Sequence, residues 1–468
     1  VWRHGFDPQQ RLNMTSRHLI LVGAAMELAY LSFYVVDEPP HEVLLFIIVN
    51  AFAFLLLTFL LIRTRHFELS PLKLEPRTSN PAPPSGIKQL DPSLRSALRA
   101  IFGFAVLFRL TLVVHAPVAS DDIYRYVWDG KVATHGINPF RYAPTDSALA
   151  ALHTADLPSK INHPTMRTIY PPLAQVLFFV SNKLFGDSLI GLKFLLVLAD
   201  ICTIVLLYKL YQLYELRQLV LYAWSPLPIM YFGLDGHIDA LGIPFLLLFL
   251  YLATHNRYFT ASISLGIAGV AKLYPLFVAP FLFHVATGWR RLVLPLVPIA
   301  MLLIGGWLYW EPTGGLVESF MMFSSVFAFN GSVFHIVYEV VKTNNQAHSI
   351  CALVFLFWLG VVFFLKRSLI EKIYLAFLGF IIFAPVVQPW YLTWLAALLV
   401  LRWSPAAFAL LGLSNLSNFV VYHYRLTGVW TENGVILLGQ YLPFYCVLVW
   451  ETVKGKFSWE KGSTRSVK

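Results

Sequence analysis

The chain has 468 residues, is 57% hydrophobic and only 13% charged, and has a mean hydropathy of +0.65. A soluble protein of this length needs far more charge to cover its surface, so a polytopic membrane protein of the all-α class is expected. Continuous apolar runs, without period-two alternation, exclude a β-barrel.

Runs of roughly 18–20 apolar residues, the length a helix needs to cross a bilayer, recur throughout the chain. Spans are predicted near 18–36, 42–62, 98–117, 190–208, 218–233, 238–254, 258–271, 273–288, 292–310, 349–365, 373–388, 390–402, 405–422 and 435–452. The chain begins at Val1 without a signal-peptide pattern, so the first span is expected to act as its own insertion signal. Residues 1–63 read as a two-span N-terminal hairpin. Residues 64–97, with "SPLKLEPRTSNPAPPSG", read as a Pro- and Ser-rich cytoplasmic linker. Residues 98–402 form the expected core, and 403–468 the last spans and a basic tail. The cysteines, Cys202, Cys351 and Cys446, fall inside apolar runs and are expected to be small buried core residues.

Placing the N-terminus in the cytoplasm puts most of the 35 Lys and Arg residues inside, including "RTR" (63–65), "WRR" (289–291), "KRSLIEK" (366–372) and the tail. That satisfies the positive-inside rule and leaves both termini cytoplasmic. The net charge of +10 then expresses this bias, not a nucleic-acid partner. The segment "YPPLAQVLFFVSNKLFG" (170–186) is apolar but short for a span; crossing there would invert every later loop. It is expected to be a re-entrant or interfacial helix, opened by its two prolines.

With this topology the polar motifs gather on the extracytoplasmic face. The large loop 118–189 carries Asp121, Asp122, Arg125, Asp129, Asn138 and Tyr170. "GLDGHIDALG" (233–242) puts Asp235, His237 and Asp239 at a span junction, and "AKLYP" (271–275) adds Lys272. "FNGSVFH" (329–335) and "QPWYLTW" (388–394) contribute Asn330, Gln388, Trp390 and Tyr391. Charge at a membrane junction is costly, so each such residue is a site candidate. Each also has a plainer explanation. Asp121 and Asp122 suit the N-cap of a helix starting at Ile123, and "GHID" suits the cap of the next helix. Lys272 suits snorkelling, Trp390 and Tyr391 an interfacial belt, and Arg109 and Lys193 pairing within the bundle.

The chemistry that uses such a set is sugar transfer from a lipid-phosphate donor to a hydroxyl. A carboxylate takes the acceptor proton, and cations such as Arg125, His237 and Lys272 meet the departing phosphate. Gln388, Trp390 and Asn330 suit sugar hydroxyls and faces. No Gly-rich phosphate loop or nucleotide-binding βαβ unit is present, which argues against a nucleotide-sugar donor.

The order of "SDDIYRYVWDGKVATHGINPF", "TIYPPLAQVLF", "YAWSPL", "GHIDAL", "AKLYP" and "QPWY" resembles the GT-C superfamily of membrane glycosyltransferases. Within it the chain resembles the bacterial polyprenyl-phosphate-mannose-dependent mannosyltransferases and, distantly, the transferase that adds the first mannose of GPI anchors. The resemblance covers about 98–402. It implies a helical bundle of about 13–14 spans, a polyprenyl-phosphate sugar donor, a glycolipid or glycan acceptor, and inversion at the anomeric carbon. It also implies a loop acid as general base, in the bacterial cytoplasmic membrane facing the periplasm. Asp122 matches that acid through "D-I-x-x-Y", with Asp121 the second choice. Arg125, Tyr170, His237, Asp239, Lys272, Gln388, Trp390 and Tyr391 are the expected donor-phosphate and substrate contacts. No obligatory cofactor is expected, with Mg²⁺ or Mn²⁺ shared by Asp121 and Asp122 as the alternative. The sequence departs from the superfamily pattern in two respects: the acid follows the third span instead of the first, which makes residues 1–97 an N-terminal addition, and no sizeable soluble C-terminal domain is expected beyond the short basic tail. Outside this class, a glycolipid transporter or flippase competes, and within it a lipid-linked glycan polymerase or ligase.

Overall fold

The computed structural model describes residues 8–36, 38–63, 92–211, 216–312 and 315–458. The first helices are α1 (Pro8–Leu31), α2 (Pro39–Arg63), α3 (Pro92–Val113), α4 (Asp122–Thr134), α5 (Pro172–Phe185), α6 (Leu189–Tyr211) and α7 (Leu216–Ala223). A single turn, α8 (Pro226–Pro228), runs into a π-helical stretch Ile229–Leu234, followed by α9 (Asp239–Thr254) and α10 (Tyr258–Ala271). A 3-10 helix Tyr274–His284 leads to α11 (Arg290–Val293), α12 (Leu296–Leu308), α13 (Leu316–Val326), α14 (Ser332–Val341) and α15 (Asn344–Phe364). The chain closes with α16 (Leu369–Phe383), α17 (Leu392–Leu401), α18 (Pro405–Leu413), α19 (Asn418–Thr427) and α20 (Gly434–Ser458).

Every expected span falls on helical structure, but proline reshapes several of them. Pro226 and Pro228 divide the 218–233 run, and Pro275 and Pro280 turn 273–288 into a 3-10 helix. Each proline removes a backbone donor that a regular α-helix needs. Among the described residues, seven helices are long and apolar enough to cross a membrane: 39–63, 94–113, 189–210, 290–308, 344–364, 405–427 and 434–454. Five apolar helices are shorter. The outer faces carry Leu303, Trp307, Phe357 and Phe364, each more than 59% exposed, a surface that water would not tolerate. The chain is an integral membrane protein.

Most of the linker expected at 64–97 lies outside the described residues; its last part, from Pro92, is the first turn of α3. The N-terminal pair is packed into the bundle, α1 against α3 and α2 against α19. The 311–348 connection contains two helices, α13 and α14, that hydropathy alone did not resolve. Cys351 is buried, but Cys202 and Cys446 lie on outward helix faces, contrary to expectation. An apolar run marks a lipid-facing position as readily as a core one.

Two elements place the site. Helix α5 starts at Pro172 with Pro171 in the cap position, where the missing N–H costs nothing. It packs along α4. Gly130 allows the close approach: a Cβ there would lie 2.3 Å from the Phe178 carbonyl oxygen. The Tyr126 ring stacks on Phe178 with centroids 4.8 Å apart.

Candidate functional site

The turn Asp235–His237 organises the centre. It follows the π-helical stretch, a wide turn frequent at functional positions. Gly236 has φ +74, and a Cβ there would meet Ile123 Cδ1 at 2.6 Å, so no side chain fits. Asp235 Oδ1 accepts the backbone N–H groups of Val118 (2.8 Å) and Ala119 (3.1 Å), which fixes the chain leading into α4. His237 is fully buried, and its ring stacks on Trp390 with centroids 3.7 Å apart and 17° between planes. Neither ring nitrogen has a hydrogen-bond partner.

Asp122 opens α4. Its N–H donates to Ser120 Oγ at 3.3 Å, and its carboxylate lies 3.7 Å from His237 Nδ1 and 3.5 Å from the Tyr126 hydroxyl. The side chain retains 28% exposure. Burial pushes the carboxyl up to about 6; Lys272 opposes that rise, and Asp121 and Asp239 add to it. Burial, and then the Lys272 charge, hold His237 well below the usual imidazole range, so its ring is neutral at neutral pH.

Asp121 stands at the helix cap position, yet its side chain makes no capping bond. It accepts from Arg425 Nη2 at 2.9 Å instead. Asp239, the first residue of α9, does not cap that helix either. Its carboxylate pairs with Lys272 Nζ at 3.2 Å, accepts the Trp394 indole N–H at 2.8 Å, and accepts the Tyr274 hydroxyl. Lys272 also lies over the Tyr391 ring, 5.0 Å from its centroid, with 15% of its side chain exposed. It is therefore built into the cluster instead of snorkelling away. The Tyr170 ring meets Tyr126 edge-on at 4.7 Å, close enough for Asp122 to act on its hydroxyl.

Asp122, His237, Asp239, Lys272, Trp390, Tyr391 and Tyr170 thus converge from five separate stretches of chain. Arg125 does not join them. Its guanidinium donates to Asp129 (2.8 Å) and to the Met166 carbonyl (2.9 Å), inside the packing of the loop. Gln388 is half-buried at the start of the 3-10 turn Pro389–Tyr391. Asn330 is a structural joint: its side-chain amide donates to the Val387 carbonyl, and its N–H donates to Glu432. Arg109 and Lys193 pair within the bundle, Arg109 with Asp200 at 2.5 Å and Lys193 with the carbonyls of His115 and Leu234. Sequence reasoning missed Tyr274, Trp394 and Arg425 as members of the cluster. The first two stand inside motifs already noted, and Arg425 is a lone cation in the last turn of a span.

The family model of the alpha-(1->6)-mannopyranosyltransferase N-terminal domain (MptA_B family) matches residues 24–288. The match takes in Asp122, His237, Asp239 and Lys272, and it begins at residue 24, within α1, so it also covers α2. Comparison with curated proteins gave no match. With more than half its length matched, the chain belongs to the alpha-(1->6)-mannopyranosyltransferase family, a GT-C type of membrane mannosyltransferase that moves mannose from a sugar donor to a glycan acceptor.

Proposed function

We propose that the protein transfers mannose from a polyprenyl-phosphate donor to a lipid-linked or glycan acceptor, with Asp122 as general base. The observation that carries this reading is an elevated, part-buried carboxyl and a cation in one cluster: Asp122, whose rise Lys272 opposes, with neutral His237 between α4 and the Trp390 face. The acceptor hydroxyl gives its proton to Asp122 as its oxygen bonds to the anomeric carbon. The bond from that carbon to the phosphate oxygen breaks, and the polyprenyl phosphate leaves with its charge met by Lys272. Attack opposite the leaving group inverts the centre, so an alpha product requires a beta-linked donor. The lipid tail lies along α5, whose Val176, Phe179 and Leu184 face outward.

The reaction runs on the extracytoplasmic face of a bacterial cytoplasmic membrane, with both termini cytoplasmic, in keeping with the Lys and Arg distribution. Lys272 makes a metal unnecessary; activity that survives excess chelator supports this, and restoration only by Mg²⁺ or Mn²⁺ overturns it. The direct test supplies radiolabelled polyprenyl-phosphate mannose and, separately, a nucleotide-linked mannose to membranes containing the protein. Transfer from the first alone, with inverted linkage, is expected. Transfer from the nucleotide sugar in the absence of the lipid donor refutes the proposal.

A further inference from the structure

Asp121 and Asp122 are consecutive, yet they face different parts of the chain. Asp122 meets the cluster built by His237, Asp239 and Lys272, whereas Asp121 meets Arg425 in the last turn of α19. Arg425 lies beyond the matched region 24–288. The backbone that carries it is well anchored. Asn418, the first residue of α19, exchanges hydrogen bonds with the Tyr231 hydroxyl at 2.9–3.0 Å. Asn415, just ahead of it, donates to the Ile47 carbonyl at 2.8 Å. Tyr231 belongs to the π-helical stretch that leads into His237, and its backbone carbonyl accepts the His237 N–H at 2.9 Å.

The start of α4 is therefore gripped twice: Asp235 holds the backbone at Val118 and Ala119, and Arg425 holds the Asp121 side chain. Neighbouring side chains on a helix point about 100° apart, so fixing one sets the direction of the other. An ion pair as exposed as this one, with side chains 30% and 27% accessible, contributes little to stability. Its use is orientation and charge. We infer that Arg425 is a positioning residue for the transfer reaction: through Asp121 it sets the rotation of the first turn of α4 and withdraws the Asp121 charge from the neighbouring base. This rests on the reading of Asp122 as base.

The groups that act on Asp122 besides Asp121 are Tyr126 on α4, Tyr170 ahead of α5, His237 and Asp239 at the start of α9, Lys272 after α10, and Tyr391 ahead of α17. Asp121 also acts on Asp235, which it pushes up, so its removal relieves that carboxyl as well. Removing Arg425 leaves Asp121 unopposed beside Asp122 and raises the base further. Removing Asp121 takes away a negative neighbour and lowers it.

The experiment compares Arg425→Ala, Arg425→Lys, Asp121→Ala and the double variant Asp121→Ala/Arg425→Ala in lipid nanodiscs, using polyprenyl-phosphate mannose as donor. Each alanine variant is expected to lower kcat by about tenfold with the donor KM unchanged, and the double variant to be no worse than the poorer single, as coupled residues behave. Arg425→Lys recovers most of the rate. The acid limb of kcat/KM moves up for Arg425→Ala and down for Asp121→Ala, opposite signs that a loss of packing does not produce. Losses that multiply in the double variant, or acid limbs that stay in place, overturn the inference. If Arg425→Ala does not assemble, the downward shift in Asp121→Ala decides alone. An active Asp122→Asn variant overturns the base assignment instead, and the coupling between residues 121 and 425 is still read on the remaining activity.

Discussion

Helix α4 carries two carboxylates two turns apart, one part-buried and one buried, and they are treated in opposite ways. Asp129 is closed: Oδ1 accepts from Arg125, and Oδ2 accepts from Thr168 (2.5 Å) and Gln175 (3.1 Å). Asp122 is open: its nearest donor is the Tyr126 hydroxyl at 3.5 Å, and its His237 neighbour has both ring nitrogens unpartnered. A satisfied buried network holds a loop in shape, whereas an unsatisfied one in an apolar surrounding is costly and persists where a ligand completes it. On the proposed assignment, one helix separates the residue that shapes the loop from the residue that does chemistry.

The largest effect comes from exchanging the two roles for amides. Asp122→Asn is expected to lower kcat by about 1,000-fold or more, within the range of general-base contributions, with thermal stability unchanged. Asp129→Asn is expected to do the reverse. Breaking a buried ion pair costs about 3–5 kcal/mol, so the unfolding transition drops while the folded fraction keeps its rate. Measuring kcat and thermal unfolding on both variants breaks the comparison if Asp129→Asn proves as inactive, and as stable, as Asp122→Asn.

Next comes Lys272→Met, which keeps the length of the stem over Tyr391 and removes the charge. Loss of one group that stabilises the leaving phosphate costs about 100-fold in kcat/KM. The pH profile gives a second reading. The proposed base works only when deprotonated, so wild-type kcat/KM is expected to fall as the pH drops through about 6. Lys272 holds that value down, so its removal moves the acid limb upward. A rate loss without that shift would place Lys272 away from the base.

Much of this arrangement was legible before any fold was known. Periodicity and length located the spans, because bilayer thickness imposes a length that sequence reports directly. The carboxylates and Lys272 stood out because charge in an apolar chain is rare. What stayed hidden was which charge pairs with which. Arg125 and Lys272 look alike in sequence, yet Asp129, one turn away on the same helix, captures Arg125, while Lys272 pairs with Asp239 from another helix. Proline positions were visible, but their effect on 226–234, where they open a π-helical turn beneath His237, depends on tertiary packing. Arg425 was unreadable for the same reason: its partner lies 304 positions away.

The smallest effect concerns His237, and it separates two ways an open residue can matter. His237→Phe keeps a flat ring against Trp390 and removes both nitrogens; His237→Ala removes the ring as well. If the nitrogens orient Asp122 or a sugar hydroxyl, the phenylalanine variant loses about tenfold in kcat, near the value of one hydrogen bond to a charged group, and alanine loses somewhat more. If a ring nitrogen closes the 3.7 Å gap to the carboxylate during turnover, the acid limb also moves, because such a donor favours the charged form and its loss raises the base. If the ring serves only to seat Trp390, the phenylalanine variant keeps the wild-type rate and pH profile, and alanine alone is impaired. That outcome would move His237 to the closed side of the comparison, beside Asp129, and leave Asp122 with Lys272 as the chemical pair.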